Sequence, residues 1–178
     1  GVLEAMRVLS QYSFDANIQF IGFDLEEAGL IGSHYYLQNN QAQLALDASE
    51  MALTIYPFSS EFCLTKADAH IELGELDHAE DYLINNFKID KSDIDYYIIL
   101  SEVYVLRNNY EKAIEICEQG LEECRDNLDE LYLHLAEIFD HQGEYKEVIP
   151  LLEKTIALNP TNEDALYLQA DTLEQLGY

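Results

Sequence analysis

Tryptophan is absent, proline and cysteine occur three times each, and basic side chains are scarce. Nine Lys and Arg stand against 35 Asp and Glu, a formal net charge of −26. A field of that sign repels phosphate backbones and anionic lipid surfaces, so neither nucleic acid nor a membrane is an expected partner. No apolar run approaches the roughly 18 residues of a membrane span, and no leader peptide is recognisable. Cytoplasmic placement is the default expectation, which an upstream address signal would override. The cysteines, Cys63, Cys117 and Cys124, are odd in number and lack metal-type spacing. Cys117 and Cys124 fall seven apart on one predicted helix, too far along its axis to bridge. Free, mostly buried thiols in a reducing compartment are expected.

What the chain does have is a repeat. Small residues recur at Ala67, Ser101, Ala136 and Ala170, spaced by 34, 35 and 34, and the turn residues Gly74, Asn108, Gly143 and Gly177 repeat those spacings. A second slim series, Ala45, Ala79, Ala113 and Val148, runs at 34, 34 and 35. The extra residue falls in a loop around 123–127. Each period reads as two amphipathic helices joined by a tight turn, with Gly suited to a positive φ at the helix end. Leu73, Leu100, Tyr104, Leu135 and Phe139 supply large apolar filling between the helices. One hairpin cannot bury its apolar face alone, so neighbours must stack.

This 34-residue pattern resembles the tetratricopeptide repeat family over about three-quarters of the chain. A second helix is expected at 42–56, full units at 60–91, 94–127 and 129–162, and a lone first helix from 163. Three features depart from the pattern. Cys63 takes an aromatic position, Asn86 and Gly120 replace an expected Ala, and Pro150 enters a second helix early, near the turn, where a missing N–H matters least. The resemblance implies that first helices line a concave groove and that their inward residues read a guest. Carried over unit by unit, these are Leu64, Asp68, Ile71 and Glu72, then Ile98, Glu102, Val105 and Leu106. Leu133, Glu137, Asp140 and His141 follow, and then Tyr167, Asp171 and Glu174. Acid interleaved with aliphatic residues fits an extended or helical segment carrying Lys or Arg and apolar anchors. None of these positions is Lys or Asn, so clamping of a C-terminal carboxylate is not expected.

Residues 1–40 follow another pattern. Gly1–Leu9 reads as the end of an amphipathic helix, and Asn17–Asp24 as an apolar strand of the kind buried in a parallel sheet. Glu26-Glu27-Ala-Gly-Leu-Ile-Gly-Ser33 comes next, followed by a helix at 34–38. This stretch resembles the co-catalytic zinc aminopeptidases of the bacterial leucyl aminopeptidase and glutamate carboxypeptidase type. The resemblance implies Glu26 as general base and Glu27 as a zinc ligand. A two-metal site needs further ligands from separate loops, and single carboxylates hold zinc weakly. Those partners are not found among the repeats. His134 and His141, with Glu137 between, do not make a His-Glu-x-x-His arrangement, and His70 falls in a slot between hairpin helices. Ser33 and Tyr36 also fit the repeat's small and aromatic positions, so 29–39 can serve as the first helix of a first hairpin. The front segment implies a joined fragment or an incomplete natural fusion.

The expectation is therefore a mainly α protein. A partial peptidase-like helix–strand–helix segment at 1–40 precedes a tetratricopeptide-type α-solenoid at 41–178. It should act as a non-catalytic scaffold for a protein or peptide partner of basic and apolar character. No cofactor is expected, zinc entering only if a complete peptidase site existed. Leu166, Leu173 and Leu176 on the uncapped last helix invite self-association.

Overall fold

The structure is a computed structural model that describes residues 41–86 and 89–177. The helix and strand expected within 1–40, Glu26 and Glu27 among them, lie outside the described residues. Eight helices follow in order: α1 (Ala42–Ile55), α2 (Ser60–Glu72), α3 (Leu76–Asn85), α4 (Ile94–Leu106), α5 (Tyr110–Glu123), α6 (Leu128–His141), α7 (Tyr145–Leu158) and α8 (Glu163–Gln175). There is no strand among the described residues.

Local chemistry sets the helix ends. The Ser59 hydroxyl accepts from the Phe62 N–H, Asp93 from Asp95, Asn109 from Lys112 and Asn162 from Ala165, each occupying an orphan donor of a first turn. Helices α2, α4 and α6 end alike. The residue in the left-handed region, Gly74 (φ 74°), Asn108 (φ 58°) or Gly143 (φ 74°), donates three residues back. Its successor donates five back, with Glu75 to His70 and Asn109 to Tyr104 both at 2.8 Å and Glu144 to Phe139 at 3.0 Å. This paired closure satisfies two terminal carbonyls and reverses the chain within a few residues. Gly177 also takes a positive φ, so all four expected turn residues do so. Asn127 is a further left-handed residue, and it sits in the loop that absorbs the one-residue insertion.

The helices pack as two units, divided between Ile89 and Asp90. The boundary expected at residue 40 lies on the near side of that division. In the first unit α2 lies between α1 and α3. Ala45, Ala67 and Ala79 are sealed at the crossings, with Phe62 and Leu83 as the largest fully buried side chains. Two polar ties accompany this core. Lys66 Nζ meets Glu50 at 2.7 Å, and Asn86 Nδ2 donates to Cys63 Sγ at 3.4 Å.

In the second unit each helix from α5 to α8 packs on the one before it, and α4 also touches α6. Ser101, Ala113, Ala136 and Val148 are sealed, and Leu131, Ile138 and Leu152 fill the space around them. Each such aliphatic residue contributes about 1.5–3 kcal/mol of burial. Ala170 alone of its series is exposed, because α8 has no second hairpin helix against it among the described residues. A Cβ on Gly120 would stand 2.7 Å from Tyr97 Cγ and 2.8 Å from Leu131 Cδ2. The Ala expected there cannot fit beneath the Tyr97 ring, which is pinned by its hydroxyl donating to the Lys91 carbonyl at 3.0 Å. Pro150 lies in the second turn of α7, later than the tolerant first turn. It is exposed, as is Lys146, whose carbonyl lacks the i+4 donor, so water can replace that bond.

Candidate interaction face

The first helices of the hairpins carry the residues expected to meet a guest, and their placement differs between the units. In the first unit, on α2, Glu72 is exposed and Asp68 half-buried, whereas Leu64 and Ile71 are only 4% and 6% exposed. These two therefore serve as packing positions, which corrects their expected role as lining. The period names the side of the helix they occupy, and that side is covered here.

In the second unit α4 and α6 lie side by side, tied by a 2.8 Å hydrogen bond between Ser101 Oγ and His134 Nε2. Ile98, Glu102 and Val105 are partly exposed on α4, and Leu106 is half exposed. On α6, Leu133 and Asp140 are partly exposed while Glu137 and His141 are open to solvent. Acid and aliphatic side chains thus alternate along two adjoining helices. Asp140 Oδ1 is buried and has no hydrogen-bond donor, a state that buried acceptors rarely keep. Tyr167, Asp171 and Glu174 are exposed on α8, which packs on α7.

The tie between the helices has the outward form of a nucleophile–base pair. His134 Nδ1 lies 3.6 Å from Glu137 Oε2, completing a Ser–His–Glu sequence. Ser101 is fully buried, however, and its hydroxyl also donates to the Ile98 carbonyl of its own helix at 2.9 Å. A sealed hydroxyl at the hairpin crossing cannot reach a substrate, so the trio is a structural tie. His134 was not among the expected face residues. A histidine 33 residues after a serine carries no sequence signal until the hairpins stack.

Electrostatics agree with a structural role for the thiols. Cys63, Cys117 and Cys124 are free and buried. Burial pushes the Cys117 thiol up to about 11, opposed by the Ser101 hydroxyl. Burial, then the acid of Asp93 and Glu123, raises Cys124. Neither is a nucleophile at neutral pH. Burial, followed by Asp129 and Asp95, also raises Glu130, so carboxylates crowd this end of α6. No helix among the described residues is long and apolar enough to cross a membrane.

Comparison with known proteins places these features. Residues 107–178 match a family profile described as anaphase-promoting complex, cyclosome, subunit 3. Residues 1–57 match Peptidase family M28, a span that covers the Glu26–Ser33 run and continues through α1. Among curated proteins, BBSome complex member BBS4 of Bos taurus is 28% identical over 117 residues, 66% of this chain. The chain spans only 22% of that relative's length. Among solved structures, a thermophilic TPR protein of Thermus thermophilus superposes with a TM-score of 0.74 at 18% identity. That match covers 97% of this chain and 88% of the other. The APC/C hetero-tetramer Cut9–Hcn1 gives a TM-score of 0.67 at 16% identity over 85% of this chain and 30% of that one. By fold, the eight described helices are those of tetratricopeptide-repeat hairpins in a mainly α protein.

Proposed function

We propose that this chain is a non-catalytic scaffold that binds a protein or peptide segment carrying basic and apolar side chains. The observation that carries the reading is the α4–α6 face. There Glu102, Glu137 and Asp140 stand among Ile98, Val105, Leu106 and Leu133 on two helices already fixed against each other. Preset backbones reduce the ordering cost of binding. The aliphatic groups offer area to apolar anchors, and the carboxylates offer charge to Lys or Arg. The related profiles and structures are named for protein assemblies, which supports a protein guest. Binding of this kind needs no cofactor.

Each rim charge contributes little alone, about 0–1 kcal/mol, so selectivity comes from the summed field. Fluorescence titration with a labelled Lys- and Leu-containing peptide tests the reading. Micromolar affinity that weakens steeply with salt is expected; preference for an acidic peptide would contradict it. Leu166 and Leu173, exposed on α8, and the partly exposed Leu176 after it form part of the same proposal, as a self-association surface. Sedimentation should show a dimer that Leu166→Ser with Leu173→Ser abolishes.

The peptidase match to residues 1–57 favours one second reading, a zinc-dependent aminopeptidase remnant with Glu26 as base and Glu27 as ligand. On the scaffold reading, a zinc-supplemented aminopeptide assay gives no turnover above that of Glu26→Gln. Turnover that this substitution removes would establish the remnant as active.

A further inference from the structure

The turn between α2 and α3 gathers three side chains that the interaction face does not use. His70 comes from the last turn of α2, Glu75 from the N-cap of α3, and His78 from its first turn. Glu75 Oε2 lies 2.7 Å from His70 Nδ1 and 3.8 Å from His78 Nδ1. One donor atom from each of the three lies within 4.8 Å of the other two. The backbone beneath them is fixed by Gly74 in the left-handed region and by the 2.8 Å bond from the Glu75 N–H to the His70 carbonyl. All three donors therefore come from nine consecutive residues on a closed turn, and little chain has to be ordered to bring them together.

The geometry points to a binding site for a divalent first-row transition ion, zinc foremost, on His70, Glu75 and His78, with water completing the shell. Two imidazoles and one carboxylate suit zinc and its neighbours, whereas calcium and magnesium require oxygen-rich shells. Zinc held about 2.0–2.1 Å from each donor sets the donors roughly 3.3 Å apart. Glu75 must then back away from His70 and His78 must close on Glu75, each by about half an ångström, and the two imidazole donors, within 4.8 Å of each other, must close by up to about 1.5 Å through rotation of the His78 ring. Side-chain exposures of 74% for His78 and 44% for Glu75 leave room for these movements. His70, at 14%, is the anchored member. The chain's net charge of −26 raises the local concentration of any cation. A bound ion would clip α2 to α3 across their turn; without one, the His70–Glu75 bond is simply a turn latch.

The test is independent of the peptide-binding reading. The full chain is titrated with Zn²⁺ against a chromophoric chelator, and with Co²⁺ for its spectrum, as wild type, His78→Ala and the pair Glu26→Gln with Glu27→Gln. The site predicts one ion per chain and a Co²⁺ spectrum without a thiolate charge-transfer band. It predicts about tenfold or greater weakening in His78→Ala, with no change in the Glu26/Glu27 pair. Because His78 is exposed, circular dichroism should show that variant folded, and zinc should raise the melting temperature of the wild type and of the Glu26/Glu27 pair but not of His78→Ala. Absence of zinc binding overturns the assignment, as does binding that His78→Ala retains.

Discussion

Leu64, Ile98, Leu133 and Tyr167 occupy one register of the repeat, 34, 35 and 34 residues apart, yet their surroundings differ completely. Leu64 in the first unit is 4% exposed, Ile98 and Leu133 are partly covered, and Tyr167 on α8 is 75% exposed. Ile71, Val105, Asp140 and Glu174 form a parallel register that runs from buried to open in the same way. In the second register the side chains change from aliphatic at buried Ile71 to carboxylate at exposed Glu174, and in the first from Leu64 to Tyr167. A repeat period therefore assigns each residue to a side of its helix, and the neighbours decide whether that side is core or face.

The comparison breaks if these equivalent positions respond alike to truncation. Leu64→Ala should cost about 2–5 kcal/mol through the lost burial and the cavity left behind. Tyr167→Ala should stay within about 0.5 kcal/mol. Urea unfolding of the two variants gives the contrast directly, and similar losses would mean that the register does not divide into core and face.

Gly120 sharpens the same point within the second unit. Gly120→Ala gains up to about 1 kcal/mol in helix propensity but drives a methyl into the Tyr97 ring. Overpacking of that kind costs about 1–3 kcal/mol, so a net loss is expected. Combining it with Tyr97→Ala should remove only part of the Gly120→Ala penalty, because Leu131 Cδ2 at 2.8 Å and the Cβ of residue 97 at 2.9 Å remain, and the part removed is measurable as coupling in a double-mutant cycle.

Alkaline titration probes the second unit's core next. Burial raises the folded Cys117 pKa from 9.0 to about 11, so the unfolded chain loses that proton first. The contribution is intact below pH 9 and is lost as pH rises from 9 through about 11. Unfolding free energy should fall by about 1 kcal/mol between pH 8 and 10 beyond the fall in Cys117→Ala. Equal slopes in the two proteins would place Cys117 in a more open site. The smallest effect belongs to the first unit's surface pair, where Lys66→Ala should cost less than about 1 kcal/mol because Glu50 remains half exposed.

Much of the hairpin architecture was legible in the sequence, for reasons these residues illustrate. A helix crossing needs a small side chain, so Ala67, Ser101 and Ala136 mark the crossings. A closed helix end needs a left-handed residue, so Asn108 could be aligned with Gly74 and Gly143. The departures were legible only as departures. Gly120 is small because Tyr97 lies over it, and Asn86 hydrogen-bonds to Cys63. In each case the replaced Ala and the early position of the first helix are a single packing event, visible once the helices pair. On α4 and α6 the expected residues reach solvent, whereas on α2 Leu64 and Ile71 share their register but are buried, a difference that neighbours rather than the period decide. The grouping of His70 with Glu75 and His78 was not legible, because the spacing of 5 across Gly74 matches no helix face until the turn folds them together.

The central claim, that the acidic and aliphatic face of α4 and α6 selects its guest by charge, is tested most directly by reversing that charge. Peptide binding by the full chain carrying Glu102→Lys with Glu137→Lys should be measured by titration calorimetry against matched basic and acidic peptides. The account predicts about tenfold or greater weakening for the basic peptide and a gain for the acidic one, with the fold intact by circular dichroism. Unchanged affinity for the basic peptide in that folded variant would contradict it.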